Sequence, residues 1–196
     1  MATSSFKTLT TRRPAARVSI EQPDTLRAVT VHSPALAVMT DFTRLHPVTI
    51  APDATLFAAN ETMIARGVRL LLVVDAQENL LGIISTRDTL GERPMQLQHQ
   101  GKGNVFEMTV ADLMHSVREI DMLDFCDMRH ASVGDLVATL KQRGQHHLLV
   151  AAAEPGGATQ RVVGVFSATQ IGRQLGVEIQ TFEVAQTFAE IEAALV

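Results

Sequence analysis

Residues 67–88 read GVRLLLVVDAQENLLGIISTRD. A glycine leads into the apolar run LLLVV (70–74), then a polar turn DAQEN (75–79), then a second apolar run LLGII (80–84), and the stretch ends on STRD (85–88). Both runs have strand length and suit a buried strand, so two strands joined by the turn are predicted. The pattern is written twice. GQHHLLVAA (144–152) lies over GVRLLLVVD, and VVGVFS (162–167) lies over LLGIIS (80–85) after a five-residue insertion containing EPGG. A repeat of this length is one supersecondary unit, and it organises the rest of the chain.

Upstream, MIAR (63–66) lies over LKQR (140–143), and PDATLFAANET (52–62) over RHASVGDLVAT (129–139), without a gap. Further upstream VMTD (38–41) resembles LMHS (113–116). In the second unit Val133, Leu136, Val137 and Leu140 fall at i, i+3, i+4 and i+7, one face of a helix. Leu56, Ala59 and Met63 occupy the matching face in the first. Asp53 or Thr55 can cap that helix. Gly67 and Gly144 sit where each helix should stop, because glycine accepts a left-handed backbone. A short β-rich stretch, PVTI (47–50), precedes the first helix, and a helix is expected after Ser85 and after Ser167. Each unit is therefore β-α-β-β-α, and the fold class is α/β of the α+β kind. Two such repeats should pack face to face about a pseudo-twofold axis and share a core, since neither has the apolar surface to stand alone.

The chain then divides into an N-terminal arm (1–36), a first repeat (37–91), a polar connector (92–109), a second repeat (110–176) and a tail (177–196). The tail reads as a strand-like VEIQTFEV followed by a helix striped with Val184, Phe188, Ile191 and Leu195, a face that must dock on its own domain or on a second chain. The first 20 residues hold four basic side chains, seven Ser or Thr and no acid. That composition is transit-like but lacks an apolar h-region, and a loosely held polar arm is the expectation.

Of the 196 residues, 46% are hydrophobic and 19% charged, and the net charge is -4. With no basic stripe, nothing recommends nucleic acid as a partner. No apolar run approaches the ~20 residues that span a bilayer. A single cysteine, Cys126, permits no disulfide within the chain and fits a reducing compartment such as the cytoplasm.

The tandem unit with GVRLLLVVD (67–75) and LLGIISTRD (80–88) resembles the CBS domain pair, named after cystathionine β-synthase, over about 37–176. The resemblance implies one pseudo-twofold module with two clefts. It also implies adenosyl ligands such as AMP, ADP, ATP or S-adenosylmethionine, pairing into flat homodimers, and a regulatory, energy-sensing role toward an effector protein rather than catalysis. The family's ribose-binding Asp falls on Asp88 and its phosphate-binding Ser on Ser85, with Thr86 and Arg87 beside them. The stretch after the helix-ending glycine, here Val68, Arg69 and Leu70, would contact adenine, and the first strand, Val48 and Thr49, would supply a wall. Both repeats carry Leu (Leu72, Leu149) where the family often has Pro.

The chemistry of GIISTRD agrees with that role. Unpaired N–H groups at a helix start suit phosphate, Arg87 adds a forked charge, and an ionised Asp88 can accept two bonds from a ribose diol. A second use competes. Ser85…Asp88 and Ser167…Gln170 both fit a capping box, in which the two side chains tie off a helix. If ribose is held, Gln170 lacks the charge that strengthens such bonds. The second repeat also has Ala152 for Asp75 and Thr169 for Arg87. One ligand site per chain is therefore expected, on the Asp88 side.

Other constellations are weaker. His146 and His147 are adjacent at a strand start and should point to opposite faces, so shared metal ligation is not expected; one could line the second cleft. Asp121, Asp124 and Asp127 lack the spacing of a calcium loop and read as solvated. Nothing marks Cys126 as a nucleophile, since His130 nearby in sequence says nothing about geometry. No catalytic constellation, metal site or required cofactor is expected. The alternative to ligand sensing is a ligand-independent dimerisation scaffold.

Overall fold

The computed structural model describes residues 10, 11, 13, 18, 29–101, 104–154 and 159–181. The rest of the arm to residue 28, and the tail helix expected around Val184–Leu195, lie outside the described residues.

The first repeat opens with a 3-10 turn (Ala35–Val38) and β1 (Thr40–Asp41), followed by β2 (Thr49–Ile50), α1 (Leu56–Arg66), β3 (Leu70–Val74), β4 (Leu80–Ser85) and α2 (Thr86–Leu90). Then come α3 (Arg93–His99) and a second 3-10 turn (Val105–Glu107). The second repeat comprises α4 (Val110–Leu113), β5 (His115–Ser116), β6 (Met122–Asp124), α5 (Phe125–Met128), α6 (Val133–Arg143), β7 (His147–Ala153), β8 (Gln160–Ser167) and α7 (Ala168–Leu175). Thr55 caps α1, its hydroxyl accepting from the Ala58 N–H at 3.1 Å. Gly67 (φ 65°) and Gly144 (φ 60°) end α1 and α6 in the left-handed conformation the repeat predicts.

Two four-stranded sheets form, ordered β2-β3-β4-β5 and β1-β8-β7-β6. The lead strands are exchanged: β1, at the head of the first repeat, pairs with β8 of the second, and β5, at the head of the second, pairs with β4 of the first. The glycine that opens both GIIS and GVFS is explained here. A Cβ on Gly82 would run into the His115 carbonyl, and one on Gly164 would meet the Thr40 oxygen at 2.8 Å. Each glycine lets the exchanged strand cross at backbone distance.

The repeats do not share one core. Leu71, Val73 and Ile84 pack with Leu56, Ala59 and Met63 of α1 and with Val110 and Leu113 of α4. Leu148, Val150 and Phe166 pack with Val133, Leu136 and Leu140 of α6, Ile171 of α7 and Ala35 and Val38 of the first 3-10 turn. Alternation along the strands turns Leu72 and Leu149 the other way, buried between the facing sheets. Each core is completed by the exchanged segment, so the repeats depend on each other through their chain ends.

Three local expectations change. The connector folds into α3 and buries Met108 in the first core. DMLDFCD is no solvated loop: it supplies β6, parallel to β7, and α5, which Asp124 caps by accepting from the Cys126 N–H at 2.7 Å. Val177–Thr181 follows α7 without forming a strand.

Candidate ligand site

A cleft of about 560 Å³ opens where the two sheets face each other, large enough for a small-molecule ligand. Both repeats line it. From the first come Arg69, Leu70, Ile83, Ser85, Thr86, Arg87 and Asp88; from the second come His115, Glu119, Ile120, Gly144–His147, Leu149 and Thr169. The floor is apolar and the walls carry the charges.

Six of the residues named from the sequence meet here: Asp88, Ser85, Thr86, Arg87, Arg69 and Leu70. The other three do not line this cleft. Val48 and Val68 pack against the first core, and Thr49 lines a second cleft of about 640 Å³ with Phe42, His46, Leu72, Met122 and Arg161. The approach to β6 supplies the wall instead, through Glu119 and Ile120. The reason is the facing of the sheets, which sets the lead segment of one repeat opposite the β4–α2 junction of the other.

Asp88 is 8% exposed and uses both oxygens. Its Oδ2 accepts from the Ser85 N–H at 2.8 Å and the Ser85 hydroxyl at 2.7 Å, tying off α2. Its Oδ1 lies 2.9 Å from His115 Nε2 and 4.0 Å from Arg93 Nη1. Burial works against ionisation, but the bonds from His115 and Ser85 outweigh it and hold the carboxyl below its ordinary range. The carboxylate conversely raises the His115 imidazole, against partial burial and Arg93. A capping box and a cleft-lining carboxylate thus coexist in one side chain, and with three bonds already accepted, about one of the four acceptor positions on the carboxylate remains for a ligand.

The corresponding place in the second repeat is built differently. Gln170 lines neither cleft and forms no capping box with Ser167, contrary to the sequence expectation. Its amide oxygen accepts from the Thr40 hydroxyl at 3.3 Å. Thr40 on β1 is the pseudo-twofold counterpart of His115 on β5, since each pairs with the equivalent position of its partner strand, Val165 and Ile83. The short side chain of Gln170's partner carries no charge to hold it.

Arg69 reaches across the cleft, Nη1 donating to Thr169 Oγ1 at 3.4 Å. His146 and His147 both line this same cleft, not opposite faces, because β7 begins only at His147. Burial pushes the His147 imidazole down to about 4, with His146 and Arg69 adding to the shift. Burial, Arg87 and Arg69 also lower His146. Since α2 has only five residues, Arg69 and Arg87 carry the positive potential more than any helix dipole does. Among the described residues no three His, Cys, Asp or Glu come together to hold a metal ion. Asp121 instead pairs with Arg143, and Cys126 is free and exposed.

The sequence resemblance implied one module of two repeats with two clefts, and two clefts lie between the repeats here. The family model for the CBS domain matches residues 37–93. The first repeat is a CBS domain. The two repeats together have the fold of a CBS pair. A conserved protein from Pyrococcus horikoshii aligns at TM-score 0.52 and 16% identity over 74% of this chain and 93% of its own. The CBS domain pair of protein MJ0100, solved with 5'-methylthioadenosine and S-adenosyl-L-methionine, aligns at TM-score 0.50 and 16% identity over 75% and 98%. CBSX2 in complex with AMP aligns at TM-score 0.49 and 22% identity over 72% and 94%. No curated protein matches the chain.

Sequence reasoning missed His115, Glu119 and Ile120. The match of VMTD with LMHS marked 113–116 as part of the repeat, but pairing across the module is a tertiary fact that one repeat's pattern does not encode.

Proposed function

We propose that this CBS pair is a non-catalytic regulatory module that senses an adenosyl ligand in the Asp88 cleft. The observation that carries the reading is Asp88 itself: a buried, ionised carboxylate on the wall of a ligand-sized cleft that Arg69 and Arg87 also line. A ribose hydroxyl would bond the remaining acceptor position of Asp88. Leu70, Ile83, Ile120 and Leu149 would cover the base, and phosphate would lie toward Arg69, Arg87 and His146. His115 then orients Asp88 rather than competing for it. The two guanidinium groups, Arg69 and Arg87, favour the phosphates of AMP, ADP or ATP over the positively charged sulfonium of S-adenosylmethionine. The adenosyl ligands of the MJ0100 pair support the class of ligand. The module would act by binding alone, with no cofactor.

The working unit is the pair of repeats, 37–91 and 110–176, with arm, connector and tail as appendages. It would act in the reducing cytoplasm, free of nucleic acid, on an effector protein. Among the described residues no helix is long and apolar enough to cross a membrane. A homodimer would use the first repeat's helical face, where Phe57, Ile64 and Leu90 stand exposed. That face also favours the second reading, a dimerisation scaffold indifferent to nucleotides.

Thermal unfolding with AMP, ADP, ATP and S-adenosylmethionine at millimolar concentration separates the two. A ligand held only by the native state raises its stability, by about 2.7 kcal/mol at a hundredfold excess over Kd. Sensing predicts a shift with at least one nucleotide, and the scaffold reading predicts none.

A further inference from the structure

After α7 the chain turns back over its own helix. The Val177 N–H donates to the Gly172 carbonyl at 2.9 Å, and a Cβ at Gly172 would collide with the Val177 carbonyl and touch Ile179. Ile179 packs on the second core. The segment ends with Thr181, only 4% exposed, whose hydroxyl sits 3.1 Å from both ring nitrogens of His146. His146 is also a wall of the Asp88 cleft. The equivalent of Gly172 in the first repeat is Leu90, which stands exposed among the described residues. The covering strap belongs to the second repeat, and its last described residue grips a side chain of the cleft.

We propose that the Thr181–His146 contact ties segment 177–181 to the ligand cleft, so that an anion bound there tightens the segment and makes it the module's output. This rests on the nucleotide reading given above. The sign follows from charge. Without ligand, burial and the nearby Arg87 and Arg69 keep His146 neutral. An anion between the two guanidinium groups cancels their field and favours the imidazolium. The imidazolium attracts both the anion and the Thr181 oxygen, which lies 3.1 Å from both ring nitrogens, and a charge-assisted interaction is about twice as strong as a neutral one. Thr181 is a positioning residue here, acting on the ligand only through His146. Beyond Thr181 the sequence carries Val184, Phe188, Ile191 and Leu195 at helical spacing.

The test uses the full chain, Thr181→Val, which keeps the volume and removes the hydroxyl, and Thr181→Ser, which restores it. Amide exchange at 178–181 and the NMR titration of His146 are followed with and without AMP. Without AMP, the Val variant should exchange at least about fivefold faster and show an altered His146 titration, while Ser matches wild type. With AMP, wild type and Ser should slow at least about fivefold, the low end of couplings between sites, and Val should not respond although AMP still binds. Saturable AMP shifts at Ser85 and Asp88 with unchanged exchange at 178–181 overturn the coupling and leave the nucleotide reading intact. No AMP shifts at Ser85 and Asp88 overturn the nucleotide reading, and the tie is then judged without ligand: equal exchange in Val and wild type overturns it, faster exchange in Val supports it.

Discussion

The two β–α junctions of this module start from the same motif and end in different chemistry. At the first, Asp88 is locked from both sides, by Ser85 behind it and by His115 from the other repeat. At the second, Gln170 is released from capping and meets only the Thr40 hydroxyl. The backbone crossings are alike, and Gly82 and Gly164 serve both. The difference teaches that the repeat preserves the frame while each junction's ionic content is set by two positions far apart in sequence. Asp88 is matched with His115, and Gln170 with Thr40. The charged acceptor meets an imidazole from across the module whose protonation it favours, and the neutral one meets a neutral hydroxyl.

The strongest challenge to the shared frame is Gly82→Ala. Its Cβ collides with backbone, not with a movable side chain, so a loss of about 3 kcal/mol in urea-unfolding stability is expected. Gly164→Ala should cost less, since the flexible Met39 side chain takes part of its clash. Equal, negligible losses would show that the exchanged strands do not cross as described.

A second difference between the halves is His147, which stands where the first repeat has Leu70. Its pKa of about 4 in the folded chain lies below the ordinary 6.5. Unfolded chains therefore bind the proton first, and stability is lost as pH falls from about 6.5 toward 4. At pH 4.5 this amounts to about 2–3 kcal/mol. The variant His147→Leu, which copies the first repeat, should remove most of that acid sensitivity. Chemical denaturation of both proteins at pH 7 and 4.5 checks it, and an unchanged pH slope contradicts it.

The Asp88–His115 pair gives a smaller effect of opposite direction. Its imidazole is raised in the folded state, so its contribution is full below about 6.5 and fades as pH rises through the raised value. The carboxylate's share is lost only as pH falls through a pKa already below 3.8. His115 is half exposed, so His115→Gln should cost no more than about 1 kcal/mol near pH 6 and less at pH 8.5. Thr40→Val, at the neutral junction, should cost under about 0.5 kcal/mol with no pH dependence, because its 3.3 Å bond is weak and exposed.

Much of this was legible in the sequence. LLLVV and LLGII became β3 and β4 almost residue for residue, since a run with no helical period between a glycine and a polar turn has few other folds open to it. Gly67 and Gly144 marked helix ends because their backbone must turn left-handed. Asp88, Ser85 and Arg87 were placed together because four consecutive residues at a strand–helix junction cannot separate. What stayed hidden was everything that crosses the module. No local pattern says that His115 pairs with Asp88, that Ile120 rather than Val48 or Thr49 walls the cleft, or that His146 and His147 both turn inward. The separate cores were missed for the same reason: the apolar residues of 35–38 and 110–113 complete cores from which they are distant in sequence.

The measurement that bears most directly on the account is isothermal titration of the full chain with AMP, repeated for Asp88→Asn and Gln170→Ala. One ligand per chain is expected in wild type, retained with Gln170→Ala and lost with Asp88→Asn, provided circular dichroism shows that variant folded. Two equal sites, or AMP bound as tightly without the Asp88 charge as with it, would contradict the claim that the ionic junction is the one that holds the ligand.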